Sequence, residues 1–357
     1  MAYRYTIARI VAFIITLILS THLLANDVLV RNETLGILSE GVKHIKSVAR
    51  PYERRIIDEI RISVPISPAP VRVRAFQSSN GREIELSTGY SAITRMIVSG
   101  YLIEDYFNIK DFGEEYARYT ASTYATGRFG GGKPPWVKAN LTQNQTERLL
   151  SSEKFNNEQQ GAHLLVLWYV LAHEIGHHVL GHAYGDGVSL YKIRKQEKEA
   201  DEWASRIFID LGLPPAGAFP SHMYWYYLDE YGVKNEYRRS HPPELKRIRS
   251  MLQLTIQRFD DWNNNEELVP RLPREKTINT YKSLLYYVED LISKQTSFNE
   301  SKENSVSFKE CMKYMYEGCL KSCQEKYGNP LSVCKSKLCV SDKSNNIWKL
   351  RCNEIIE

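Results

Sequence analysis

Cysteine is missing from the first 310 residues of this 357-residue chain. A length of about two ordinary domains that runs so far without cysteine points to a core able to hold without disulfides. Charge of one sign is scarce as well. Forty-seven basic against 42 acidic residues leave +5, too little for the broad positive footprint of a nucleic-acid-binding protein. Long apolar runs are absent from the body of the chain, and the stretch Ile10 to Leu19 falls short of the roughly 20 residues that span a bilayer. A composition of 43% hydrophobic and 25% charged residues excludes a disordered or collagen-like chain. No internal repeat is visible.

The six cysteines that do occur are crowded into the tail: Cys311, Cys319, Cys323, Cys334, Cys339 and Cys352. None forms a C-x-x-C pair, so a small module held by three disulfides is expected over residues 306–357, with free or zinc-bound thiols as the alternative. The N-terminus agrees with an oxidising compartment. Arg4 and Arg9 precede the apolar run, and Ala25 follows it, which reads as a secretory signal over residues 1–25. The alternative is an uncleaved anchor. Either way the rest of the chain is expected to be exported, periplasmic or secreted.

Between these ends the pattern reads as α+β and predominantly helical. Helices are expected over 26–60, 88–110, 158–181, 192–211, 221–231 and 242–260. Alternating residues around Asn80-Gly81 predict a hairpin. Residues 111–157 look loose and aromatic. Within them, Gly127 to Pro134 nearly spells a phosphate-binding loop, but Pro134 stands where a hydroxyl is needed and nucleotide binding is rejected. The expected organisation is a domain over 26–262 with an insertion around 100–157, a polar connector over 263–305 containing a helical piece near 280–293, and the cysteine-rich helical module.

The chemistry is concentrated in two stretches. Leu171-Ala172-His173-Glu174-Ile175-Gly176-His177 puts two histidines four residues apart on one face of an apolar, buried helix, where both imidazoles can reach one metal. Glu174 is then the candidate general base. Glu197-Lys198-Glu199-Ala200-Asp201 supplies a third ligand, Glu197. Asp201, one turn on, is placed to accept a hydrogen bond from a ligand histidine. Three protein ligands leave a fourth position open, as catalytic zinc requires. The longer form HExxHxxGxxH fails, because Leu180 and Ala183 occupy its last two positions. His178 and His182 are expected to face away from the metal, and Glu199 and Glu202 to lie on a solvated helix face.

On these motifs the chain resembles the gluzincin metallopeptidases, most of all the family of the HtpX heat-shock protease and the CAAX prenyl protease. The hairpin from Ala75 to Gly89 and the stretch Ser240-His241-Pro242-Pro243-Glu244-Leu245-Lys246-Arg247-Ile248 share in the likeness. The resemblance implies a zincin-type domain with a small sheet. It also implies a role for His241 beside the metal, as an added ligand or an oxyanion stabiliser; by its position before Pro242 it is equally a helix-start residue. About twenty residues separate His177 from Glu197, shorter than is usual in that family. Intramembrane helices like those of its membrane members are missing, so a soluble exported member is implied.

The expected activity is zinc-dependent peptide-bond hydrolysis, with Glu174 and His241 as catalytic residues, His173, His177 and Glu197 as ligands of one Zn2+, and Asp201 behind them. A strand at Arg82–Leu86 is expected to form the edge along which an extended substrate aligns. The expected partner is a protein or peptide substrate. A catalytically silent zinc-bearing chaperone or binding protein of the same fold is the competing expectation.

Overall fold

The computed structural model describes residues 27–67, 73–126, 132–182, 188–231, 244–264 and 271–303. The expected signal sequence over residues 1–25, residues 127–131, His241 and the expected cysteine-rich module over 306–357 lie outside the described residues. The chain divides into two units, residues 1–288 and 289–357.

The first unit is mostly helical. Helix α1, residues 27–48, buries Thr34, Leu38, Gly41 and Ile45 at steps of three or four residues, the spacing of one helix face. The single helix expected over 26–60 is broken at Arg50, whose extended backbone precedes Pro51 because a residue before proline is disfavoured in the α region. Helix α2 (Pro51–Asp58) then starts with proline in its first turn, where the missing N–H costs nothing.

Three strands follow: β1 (Arg61–Ser63), β2 (Val73–Ser78) and β3 (Gly81–Leu86). The expected hairpin is present, with Ser78 opposite Gly81 and Val73 opposite Leu86. Gly81 adopts a φ of +106°, which a side chain would resist. β1 adds parallel to β3, Ile62 opposite Ile84, so the order is β1-β3-β2. This corrects the expectation for Arg82–Leu86: β3 is the central strand, its backbone paired on both sides, and among the described residues the outer edge of the hairpin belongs to β2.

Helices α3 (Thr88–Phe107), α4 (Phe112–Ala125), α5 (Pro135–Lys138) and α6 (Gln143–Leu150) come next. The segment expected to be loose is therefore largely helical. Its apolar residues explain this, since Phe112, Tyr116, Leu149 and Phe155 close with Ile103 into a core cluster of their own. Thr142 and Gln145 form a capping box at the start of α6.

Helix α7 (Glu153–Val179) is capped by Ser152, which accepts from Phe155 N–H. It starts five residues ahead of the expected helix and is buried along its C-terminal half. Helix α8 (Leu190–Asp210), capped by Ser189, packs against it. The contact is close at Gly176, where a Cβ would lie 3.3 Å from the Trp203 ring and 3.4 Å from the Ala200 backbone. A 3-10 turn (Pro215–Ala218), α9 (Phe219–Glu230), α10 (Glu244–Gln257), α11 (Phe259–Trp262) and α12 (Arg274–Glu303) complete the order.

Within the first unit, Ile278 and its neighbours Leu272 and Tyr281 pack with Ile209, Phe259 and Trp262. In the second unit the described part is the end of α12, where Lys294 pairs with Asp290 at 2.6 Å. Among the described residues no helix is long and apolar enough to cross a membrane.

Candidate metal centre

Helices α7 and α8 bring His173, His177 and Glu197 to one point, and all three are buried. The two Nε2 atoms lie 3.1 Å apart. His173 Nε2 is 3.3 Å from Glu197 Oε2, and His177 Nε2 is 3.4 Å from Glu197 Oε1. Donor atoms held about 2.0–2.1 Å from a tetrahedral ion sit roughly 3.3 Å from one another, so the triangle has the size such an ion requires. The close approach at Gly176 is what lets a carboxylate on α8 reach imidazoles on α7.

The electrostatics ask for a cation. Glu174, Glu197 and Glu244 are buried and Asp201 nearly so, with one buried guanidinium, Arg247, among them. Burial opposes a charge on His173, yet hydrogen bonds and attraction from Asp201 and Glu197 push its pKa up to about 10. A proton is the smallest positive charge that answers this pocket, and a metal on the same nitrogen displaces it. Donor chemistry, spacing and charge all fit a metal ion.

Asp201 does what its position one turn beyond Glu197 suggested. Its Oδ1 lies 2.9 Å from His173 Nδ1; the carboxylate accepts the ring hydrogen there and turns the Nε2 lone pair inward. Arg247 grips Asp201 with two bonds, Nε to Oδ2 at 2.7 Å and Nη2 to Oδ1 at 2.8 Å. Although burial resists its charge, the guanidinium beside it holds the Asp201 carboxyl well below the usual range. Arg247 Nη1 also donates to Glu244 Oε1 at 3.0 Å, and Glu244 Oε2 receives His222 Nδ1–H at 2.8 Å. The sequence pointed to the Arg247 stretch through likeness alone and gave no sign of His222, which sits in α9 among apolar and aromatic neighbours.

Glu174 lines a cavity of about 20 Å³ shared with His173, His222, Tyr90 and Trp225, room for a single ordered water. His178 faces away from the metal point, as expected, and its Nε2–H donates to the Glu83 carbonyl of β3 at 3.0 Å, tying the sheet to α7.

His182 lies off the metal point, outside the ligand group, but it is not idle: its Nδ1 lies 2.9 Å from His177 Nδ1 and the ring is buried. Glu199 is not merely a solvated residue, since its Oε2 is 3.2 Å from His182 Nε2. The helical projection missed the contact with His177 because α7 ends at Val179, two residues before Gly181 turns the chain at φ +64°. Glu202 does lie on the exposed face, 3.6 Å from Lys198.

No family model, curated protein or solved structure matches this chain. The functional reading therefore rests on the residues themselves.

Proposed function

We propose that this chain is a zinc-dependent metallopeptidase acting on protein or peptide substrates outside the cytosol. One observation carries the reading: His173, His177 and Glu197 converge on a metal-sized point beside a cavity that Glu174 lines. When bound, zinc supplies a Lewis acid for a carbonyl oxygen and lowers the pKa of a neighbouring water. The chain's own groups do the rest. Glu174 accepts the proton of the attacking water and passes it to the departing amine. Asp201 and Arg247 keep His173 in the tautomer that faces the metal. The outer edge of β2, whose Val73 reaches the same cavity, offers backbone groups to an extended substrate.

The test is cleavage of an unfolded protein by the wild type and by Glu174→Gln at matched zinc content. The expected loss is at least about 100-fold, the scale of a missing acid–base group. Equal turnover by both proteins overturns the mechanism.

The size of the cavity favours a second reading. A space of about 20 Å³ is about the volume of one water, as expected of a zinc-bearing chaperone or binding protein whose site stays closed. Absence of cleavage by both proteins, each holding a full equivalent of zinc, selects that reading.

A further inference from the structure

Helix α7 closes with a paired turn: Gly181 N–H bonds the His178 carbonyl at 3.2 Å, and His182 N–H bonds the His177 carbonyl at 3.0 Å. This ending brings the side chain two places past the cap against the one three places before it. Helix α8 ends the same way, with Gly212 at φ +77°, Gly212 N–H on Ile209 and Leu213 N–H on Phe208. There the two residues so placed are Phe208 and Leu213, both buried and apolar. In α7 they are two imidazoles, their ring centres 4.9 Å apart.

The hydrogens on these rings follow from what each partner can accept. Glu199 is a carboxylate and only accepts, so His182 Nε2 carries the hydrogen that joins them. A neutral His182 then has a lone pair on Nδ1, and the 2.9 Å contact needs one hydrogen, which comes from His177 Nδ1. That leaves the His177 Nε2 lone pair directed at the point where His173 Nε2 and Glu197 meet. With the opposite assignment His177 would carry its hydrogen on Nε2 and could not ligate.

We propose that His182 and Glu199 are positioning residues for the metal, acting in series: Glu199 sets His182, and His182 sets His177. The proposal rests on the metal reading of the triad but not on peptide cleavage. The site is thereby oriented from two sides, by Arg247 and Asp201 behind His173 and by Glu199 and His182 behind His177.

The experiment measures zinc affinity of the full chain by competition with a chromophoric chelator, without any substrate. His182→Leu is expected to weaken zinc binding about 10- to 100-fold, the usual effect of losing such a partner. His182→Asn, whose amide oxygen can accept from His177 Nδ1–H, should recover most of that loss. Glu199→Ala should weaken binding by a smaller factor, and adding it to His182→Leu should cost nothing further, because it acts through His182. Unchanged affinity in His182→Leu, no recovery in His182→Asn, or additive losses in the double variant each overturn the proposal. Should His182→Leu fail to fold, the Asn and Glu199 variants decide: wild-type affinity in Glu199→Ala overturns the series arrangement. A wild type that binds no zinc overturns this proposal and the metal reading together. A wild type that binds zinc but cleaves nothing leaves this proposal standing and defeats the peptidase reading alone.

Discussion

Helix α8 carries a buried carboxylate arrangement on each of two faces, and they are built on opposite principles. On one face Glu53 of α2 is enclosed by donors: Arg50 N–H at 2.7 Å, Trp203 Nε1–H at 3.0 Å, and Arg206 Nη2 at 2.8 and 3.0 Å from its two oxygens. Burial raises the pKa of Glu53, but these donors together bring it below the ordinary value. On the other face Glu197 looks at two imidazole nitrogens, those of His173 and His177. A carboxylate ringed by N–H groups is a structural lock. Glu197 instead faces two imidazole nitrogens, and the proton that it draws onto His173 is one that a metal ion would displace.

The sharpest way to break that contrast is to remove the charge from each carboxylate. Glu197→Gln should abolish stoichiometric zinc binding, read by metal analysis after gel filtration, while the metal-free chain keeps or raises its thermal midpoint. A metal-free chain that is strongly destabilised would make Glu197 a second lock and end the distinction. Glu53→Ala should do the reverse, lowering stability by about 3 kcal/mol through loss of a buried, fully bonded carboxylate. Urea unfolding measures that loss, and zinc stoichiometry should be unchanged.

A smaller and pH-dependent effect comes from a histidine that has neither arrangement. His163 lies on α7, buried, with Nε2–H on the Ser91 carbonyl at 2.9 Å. Burial, with Arg95 nearby, lowers its pKa to about 4. The unfolded ring takes up a proton below its ordinary value of 6.5, and the folded ring refuses it until about 4. Its stability contribution is therefore complete above pH 6.5 and is lost as pH falls toward 4, by up to about 3 kcal/mol. Urea unfolding of the metal-free chain at pH 7 and pH 4.5 should show this loss in the wild type and a shallower one in His163→Gln.

What the sequence disclosed was whatever lay within one helix turn of itself. His173 and His177 share a face by spacing alone, and Asp201 stands one turn from Glu197, so these positions were readable before any packing was known. His182 was missed because a constant angle per residue was carried past the end of the helix. Gly181 was the available signal, since glycine after a helix marks the left-handed turn that folds the next side chain back. The central place of β3 was hidden because β1 is three residues long and pairs in parallel from the far side. The helices within 111–157 escaped because their apolar residues are irregularly spaced, with Phe112 and Tyr116 of α4, Leu149 of α6 and Phe155 of α7 closing on one another and on Ile103. The chain from Asp201 through Arg247 and Glu244 to His222 depends on three helices meeting, and no local pattern announces that.

The Glu53 lock has a consequence in time. Two of its partners, Trp203 and Arg206, are 150 and 153 residues further along the chain, so at roughly 5–20 residues per second about 8–30 seconds of synthesis pass before Arg206 exists. Until then α2 holds an acid with only its local donor, Arg50 N–H, in place. The stretch that completes the lock follows immediately on Glu197 and Asp201, so the chain finishes its metal-binding residues and the fastening of its N-terminal helices within the same few turns of α8. Contacts this distant in sequence make for slow closure, and a chain cut short before Arg206 would leave both faces of that helix unfinished.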